Sequence, residues 1–181
     1  MRIYVMLGDG FEELEALSVV DVARRAGIDT PMVSVSQNKQ VESARGIRII
    51  ADQLLDEIKI VQDDMIVIPG GKGVKALEES RKLSNILKEH CSNKGWIAAI
   101  CAGPSIIGKL GLLEGRKAAC YPGYEKYLSG ANVVFDDVVV DENFITARGA
   151  GVSLAFAYEI VKAIKGASET LNLKKAMLFK Y

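Results

Sequence analysis

The sequence has few of the features that mark a disulfide scaffold or a nucleic-acid binder. Its 181 residues include only three cysteines, an odd number with no C-x-x-C pair, which argues against a secreted disulfide framework and favours a reducing compartment. Its 23 basic and 23 acidic residues leave no net charge and form no long run of either sign. We therefore expect neither nucleic acid nor an anionic membrane as a partner.

Long apolar runs and targeting signals are also missing. No stretch approaches the ~18 uninterrupted apolar residues that a spanning helix requires. The first seven residues are apolar, but Asp9, Glu12 and Glu13 follow at once and no small-residue cleavage site appears. These absences predict a cytoplasmic protein.

The chain is organised as one unit. A sequence of this length buries roughly two-thirds of its unfolded surface, so the fold requires no disulfide or metal for stability. No Pro- or Ser-rich linker, internal repeat or low-complexity tract interrupts it. We predict a single domain over residues 1–181.

Short β-branched runs alternate with helical patterns along the chain. The predicted strands are 3–7, 31–35, 65–68, 96–100 and 144–147, and the predicted helices are 12–26, 80–91, 104–110 and 152–165. This rhythm predicts an α/β fold with a mostly parallel central sheet between helices. Segments 44–58 and 131–147 are predicted to be antiparallel additions.

In open parallel sheets the ligand site forms beyond the carboxyl ends of the strands, so the residues after each strand are informative. Two glycine-rich junctions resemble nucleotide loops but do not complete them. Glu13 occupies the place of the third glycine in G-x-G-x-x-G, and 70–73 lacks the G-K-[ST] end of a phosphate loop. We therefore predict no nucleotide, and no other cofactor or metal.

Cys101 follows a buried type of strand and precedes Ala102, Gly103 and Pro104, with the proline suited to a first helical turn. The same strand, turn and helix present the nucleophile in α/β-hydrolases. The helix dipole and free amides favour a thiolate there. The alternative is a small core hydrophobe, since cysteine is often buried. Cys91 and Cys120 are weaker candidates.

Glu15 lies in the middle of an apolar helical face. At about 100° per residue, Phe11, Val19, Val22 and Ala26 flank it on both sides. A buried carboxylate either finds hydrogen-bond donors or holds a proton. Glu15 is therefore either a satisfied structural residue or a partner of Cys101, in which case the two groups share one proton and titrate together.

The remaining groups of the site are assigned by their place in the sheet. Gly71 and Ala102 follow strands that end at the same edge, so their amides are candidates for oxyanion donors. The single histidine, His90, is predicted to lie at the opposite end of the sheet, on the surface at a helix C-terminus. That position argues against a cysteine hydrolase with a histidine base.

Five segments carry a resemblance to a known family: 10–16 (GFEELEA), 20–27 (VDVARRAG), 69–71 (PGG), 98–104 (AAICAGP) and 148–151 (RGAG). Their joint order and spacing resemble the ThiJ/PfpI superfamily, and within it the branch of the parkinsonism-associated DJ-one protein. The resemblance implies a flavodoxin-like three-layer sandwich, a homodimer, a reactive Cys101 and an acidic Glu15 bonded to it.

The resemblance also implies further site residues. The amides of Gly70, Gly71 and Ala102 line the pocket, and Arg45 and Arg148 are available for anionic groups, with Arg45 approaching from the partner subunit. One departure concerns Tyr121, which stands where members of this branch often carry histidine before the proline. A phenol is a poor base near neutral pH, so the change puts fast peptidase or glyoxalase turnover in doubt.

Two functions follow from these residues and the resemblance. The first is an enzyme acting on reactive carbonyls or glycated adducts, in which Cys101 adds to the aldehyde and Glu15 shuttles a proton. The alternative is an oxidation-sensing stress protein or chaperone whose Cys101 forms a sulfinate. An amidase or peptidase is disfavoured because the only histidine is misplaced.

Overall fold

The computed structural model describes residues 1–180. Its strands are β1 (Ile3–Leu7), β2 (Met32–Ser34), β3 (Gln40–Glu42), β4 (Arg48–Ile50), β5 (Gln53–Leu54), β6 (Met65–Ile68), β7 (Trp96–Ile100), β8 (Lys117–Ala118), β9 (Asn132–Val133), β10 (Val138–Asp141) and β11 (Phe144–Ala147). Its helices are α1 (Glu13–Arg25), α2 (Val74–Glu79), α3 (Arg81–Ser92), α4 (Pro104–Lys109) and α5 (Ser153–Ala176).

Seven strands form one sheet in the order β10-β11-β7-β6-β1-β2-β5. All neighbours pair in parallel except β10, which runs antiparallel to β11. The central strands β1 and β6 are buried at every position, which explains their uninterrupted apolar sequences. The predicted parallel α/β architecture is therefore confirmed.

Strand alternation divides the core between the two faces of the sheet. Along β1, Ile3, Val5 and Leu7 join the apolar cluster beneath α1 and α5, whereas Tyr4 and Met6 join the cluster beneath α2, α3 and α4. The result is a three-layer sandwich. Among residues 1–180, no helix has the length and apolarity needed to cross a membrane.

The predicted antiparallel additions are correct only in part. Strands β3 and β4 form an antiparallel hairpin, as do β10 and β11. However, β5 joins the main sheet in parallel with β2, and β9 pairs in parallel with β8. Both strands are only two residues long, too short for an apolar alternation to reveal their direction.

Two helices also differ from the prediction, one by its existence and one by its length. The six-residue α2 was not predicted, since 74–79 is shorter than the window in which helical periodicity is visible. Helix α5 runs well beyond the predicted 152–165, with a break at Gly166, whose φ of 84° is non-helical. Glycine adopts that conformation without the steric penalty of other residues, so the chain turns there and then resumes a helix.

Candidate active site

Cys101 lies at the tight turn between β7 and α4, as the sequence predicts. Its φ of 63° is in the left-handed region, which is strained for a residue with a side chain. Its amide donates to the Ala147 carbonyl at 2.9 Å, and its own carbonyl accepts from the Tyr121 amide at 2.8 Å. Strand β11 and the turn at Tyr121 thus hold the strained residue at the carboxyl edge of the sheet, where its side chain is half-buried.

The turn depends on Gly103. A Cβ at this position would lie 2.5 Å from the Ile68 carbonyl oxygen, so only glycine allows the backbone to fold back this closely. Pro104 then begins α4 at its first turn, where a missing amide hydrogen does no harm.

Glu15 is completely buried in the first turn of α1 and points to the same edge. Its Oε2 accepts a hydrogen bond from the Gly70 amide at 2.7 Å. The carboxylate also contacts the Cys101 thiol in a hydrogen-bonding interaction that affects the pKa of both groups. Within residues 1–180, Oε1 is buried without a partner of standard geometry. The predicted proximity of Glu15 and Cys101 is therefore present.

The Gly70 amide has a different role from the one expected. Its amide is already donated to Glu15, so it orients the carboxylate instead of facing an oxyanion. A Cβ on Gly70 would lie 2.7 Å from the Cys101 Cβ and 2.8 Å from Glu15 Oε2. Only glycine at this position lets the thiol and the acid approach each other.

Burial dominates the electrostatics of the pair. It raises the pKa of Glu15 to about 7, against the lowering effect of the Gly70 amide. Burial, together with the charge and hydrogen bond of Glu15, raises the pKa of Cys101 to about 12. The amides of Ala102 and Gly71 lower the pKa of Cys101, in the expected direction, but burial and the carboxylate raise it by more.

The two groups titrate as a pair because they share a hydrogen bond. Because the pKa of Glu15 is raised to about 7 and burial raises the pKa of Cys101 above its ordinary value, the pair still holds one proton at mildly alkaline pH. The reactive form at that pH is the one in which Glu15 holds the proton and Cys101 is a thiolate. Glu15 therefore sets how much thiolate exists.

The amides of Gly71 and Ala102 both interact with the Cys101 sulfur. An isolated bridge between Phe11 and Gly71 fixes the first of these loops against the start of α1. An added Cβ on Gly71 would lie 2.5 Å from the Gly10 carbonyl oxygen, so this close approach requires glycine. Two backbone donors therefore converge where negative charge on sulfur, or on an oxygen bonded near it, would develop.

Tyr121 and Arg148 share a cleft of about 430 Å³ at the same edge. Tyr121 is half exposed, and its ring lies against Gly149. Arg148 pairs with Asp137 at 3.2 Å. No local pattern indicates a role for Asp137, which lies in an irregular segment before β10. A bound anion has to compete with this carboxylate for the guanidinium.

Arg45 lies apart from that cleft, in the turn between β3 and β4. Its guanidinium is exposed and is 3.7 Å from Glu12. The amide of the preceding Ala44 donates to the Phe11 carbonyl at 2.8 Å, which joins this hairpin to the start of α1. In the single chain Arg45 therefore pairs with an acidic residue at the rim, and its predicted approach from a partner subunit stays a prediction.

His90 is at the opposite end of the sheet, as predicted, but it is buried and not on the surface. Its Nε2 is 3.0 Å from the Asp64 carbonyl oxygen, and burial lowers its pKa. The last turn of α3 packs its His90 side against the loop before β6. The apolar periodicity of α3 alone does not reveal this contact. Cys91 lies in that same turn, and Cys120 is buried two residues after β8.

The geometry defines a class of protein: an α/β sandwich that presents a strained cysteine, paired with a buried acid, at the carboxyl edge of a parallel sheet. The family description "DJ-1/PfpI family" matches residues 1–163, and the chain belongs to this family. The superfamily predicted from the five segments is thus confirmed.

Individual relatives agree with this assignment. Protein DJ-1 homolog B of Arabidopsis thaliana is 38% identical over 98% of this chain, which spans only 41% of that relative. Glutathione-independent glyoxalase DJR-1.2 of Caenorhabditis elegans is 34% identical over 92% of this chain and 89% of its own length. Deglycase PYRAB04690 of Pyrococcus abyssi is 29% identical over 91% of this chain and all of its own length.

The solved structures include an oxidized DJ-1 of Toxoplasma gondii, which superposes with a TM-score of 0.94. It is 29% identical and is matched over 99% of both chains. The flavodoxin-like sandwich implied by the resemblance is therefore the observed fold.

Proposed function

We propose that this protein is a cofactor-independent enzyme that converts small reactive carbonyls, or their early glycated adducts, through Cys101. The observation that carries the proposal is the contact of Cys101 with the buried Glu15, whose pKa of about 7 suits a residue that both gives and takes a proton near neutral pH. Relatives named as a glyoxalase and a deglycase support the substrate class.

The chemistry balances with methylglyoxal and water as reactants and lactate as product. The Cys101 thiolate adds to the aldehyde carbon, and protonated Glu15 gives its proton to the resulting oxyanion beside the Gly71 and Ala102 amides. Ionised Glu15 then removes the hydrogen of that carbon as a proton, which leaves an enediolate, and returns the proton to the neighbouring carbon, while the hydroxyl proton on the first carbon passes to the oxygen of the second. The product is a lactyl thioester of Cys101, which water hydrolyses to lactate and free thiol.

The test measures lactate formed from methylglyoxal. We expect Cys101→Ser to lower kcat/KM by at least about 10³-fold, because the hydroxyl is a far weaker nucleophile without a base. Glu15→Gln is expected to lower it by about 10²-fold, since the amide keeps the Gly70 bond but carries no transferable proton. Cys91→Ser is the matched control, and equal rates in all four proteins would end the proposal.

A second measurement tests the shared proton itself. The alkylation rate of Cys101 is expected to rise with pH around a midpoint near 7 in the natural chain. In Glu15→Gln only the thiol can lose a proton. The first macroscopic pKa of a coupled pair is never higher than the pKa of either group titrating alone, so the midpoint of the alkylation rate should move to higher pH in the variant. A midpoint unchanged by the substitution would show that the two groups do not share a proton.

One observation favours a second candidate function, an oxidation sensor or holdase. Tyr121 stands at the cleft where an imidazole would be the better base, and His90 is at the opposite end of the sheet. The amides beside the sulfur suit a sulfinate, and protonated Glu15 is positioned to donate to it. Mild peroxide should then add two oxygens to Cys101 ahead of Cys91 and Cys120; uniform oxidation would falsify the sensor function.

A homodimer is part of the proposal, because Arg45 reaches the site only from a second subunit in the arrangement that the resemblance implies. Sedimentation should give twice the chain mass at micromolar concentration. A monomer that keeps full activity would remove Arg45 from the site.

A further inference from the structure

Cys120 lies beside Cys101, although α4 and a loop separate them in the sequence. The amide of Tyr121, the residue after Cys120, donates to the Cys101 carbonyl at 2.8 Å. Chain segments joined by such a bond run about 5 Å apart. That spacing falls within the Cα separation of roughly 4.4–6.8 Å that a disulfide spans.

The two thiols share an environment but differ in exposure. Both are free and both contact the apolar cluster on the face of the sheet covered by α2, α3 and α4, although Cys101 also contacts the cluster beneath α1 and α5. Cys101 is half-buried, whereas Cys120 is only 8% exposed. A small oxidant in water therefore meets Cys101 first, and Cys120 is reached most readily from within the molecule.

The backbone after Cys120 allows its side chain to turn. Tyr121, Pro122 and Gly123 form an exposed turn, and Gly123 has a φ of 93° that glycine adopts without strain. The segment is held on one side by the bond to Cys101 and on the other by the Ala119 amide, which donates to Thr146 Oγ1 at 3.0 Å. The disulfide therefore requires a rotation of the Cys120 side chain between these two anchors.

We propose that Cys120 is the resolving cysteine of Cys101, which converts the oxidised nucleophile into a reversible intramolecular disulfide. The inference rests on the proposed function only in taking Cys101 as the nucleophile. Cys91 does not qualify, because it lies in the last turn of α3, at the other end of β7.

The reaction requires a peroxide as the oxidant and proceeds in two steps. The Cys101 thiolate attacks one oxygen of hydrogen peroxide and the O–O bond breaks, so the sulfur becomes a sulfenic acid, and the other oxygen leaves as hydroxide and takes the proton held by Glu15 to give water. The Cys120 thiol then attacks that sulfur, the S–S bond forms, and the sulfenic oxygen leaves as water with the thiol proton. A later dithiol reductant restores both thiols.

The experiment treats the full, reduced chain with micromolar hydrogen peroxide and maps the products by mass spectrometry of unreduced peptides. We expect the natural chain and Cys91→Ser to give a peptide that links Cys101 to Cys120 and disappears on reduction with dithiothreitol. In Cys120→Ser and Cys120→Ala we expect sulfinate on Cys101 to form about tenfold faster, because a neighbouring thiol at an effective concentration on the order of millimolar no longer competes with peroxide.

The outcomes separate this inference from the proposed function. Equal sulfinate formation with and without Cys120, with no linked peptide while Cys101 is still alkylated faster than Cys91, overturns the disulfide alone. A Cys101 that reacts no faster than Cys91 overturns the nucleophile and the disulfide together. The paired serine and alanine variants, checked by circular dichroism, distinguish loss of the thiol from loss of the fold.

Discussion

The two ends of the central sheet each hold a cysteine near a buried titratable group, but they satisfy those groups differently. At the amino end, His90 bonds the Asp64 carbonyl, and the Asp64 carboxylate accepts from the Arg2 and Val61 amides at 2.8 and 3.0 Å. At the carboxyl end, one Glu15 oxygen has no standard partner within residues 1–180.

The backbone conformations of the two cysteines also differ. Cys91 lies in the last turn of helix α3, while Cys101 is held at a positive φ in the turn after β7. Strain and unsatisfied polarity cost free energy, so they persist only where the surrounding structure fixes them. At Cys101 and Glu15 the two features coincide at the carboxyl edge, whereas the buried groups of His90 and Asp64 at the amino end are hydrogen-bonded.

The largest expected effect concerns the pH dependence of stability at Glu15. Its pKa is 4.5 in the reference state and about 7 when folded, so its stabilising contribution is fully present below pH 4.5 and is lost as the pH rises through 7. Glu15→Gln removes this loss. Relative to the natural chain, the variant should gain roughly 3 kcal/mol in unfolding free energy between about pH 4 and pH 8.

Urea unfolding at the two pH values measures that change. Glu79→Gln, which replaces an exposed carboxylate at the end of α2, is the matched control and should show little dependence. A difference between Glu15→Gln and the natural chain that stays constant with pH would mean that the folded carboxyl is not perturbed.

Gly70→Ala should have the next largest effect, on activity. The new methyl group lies within 3 Å of both Cys101 and Glu15 and must push them apart. A misplacement of about 1 Å at a reacting group costs on the order of 100-fold in kcat/KM. Gly151→Ala, at the same edge but with no atom within 4 Å of its Cβ, should keep the natural rate. Equal losses in both variants would contradict the geometry.

Gly95→Ala tests the amino end, where stability and not activity should respond. The added Cβ would collide with the buried His90 ring. Overpacking of this kind costs about 1–3 kcal/mol, which thermal unfolding will detect. The kcat/KM of the remaining folded protein should be unchanged, and a large drop would mean that the two ends of the sheet are coupled.

Arg48→Ala gives the smallest expected effect, away from both ends. Its ion pair with Glu42 measures 2.8 Å, yet both side chains are at least half exposed. Pairs of this kind contribute about 0.2–1 kcal/mol. Chemical denaturation should therefore place the variant within that range, and a larger loss would indicate that the hairpin of β3 and β4 has a further contact, such as a partner subunit.

Several features of the site were predictable from the sequence because they depend on local pattern. The helical period places Glu15 on the apolar face of α1, and its burial follows from Phe11, Val19 and Val22 beside it. The order strand, cysteine, glycine and proline predicts the turn at Cys101. Because ligand sites in parallel sheets form beyond the carboxyl ends of the strands, Glu15 and Cys101 are both expected at that edge.

Other features depend on long-range contacts that no pattern encodes. The burial of His90 and the ion pair of Arg148 with Asp137 come from segments that meet only in the folded chain. The direction of β5 depends on which neighbour it finds, because two residues carry too little alternation to decide it.

The sequence by itself determined the parallel sheet, the edge where chemistry gathers and the family, because apolar period and strand–turn–helix order are local and repeat along the chain. Only the tertiary structure decided the protonation of that edge. Burial depends on the whole folded molecule, and it raises the pKa of Cys101 although the nearby amides lower it. The same fold places the Gly70 amide in a hydrogen bond with Glu15 and the backbone after Cys120 in a hydrogen bond with Cys101.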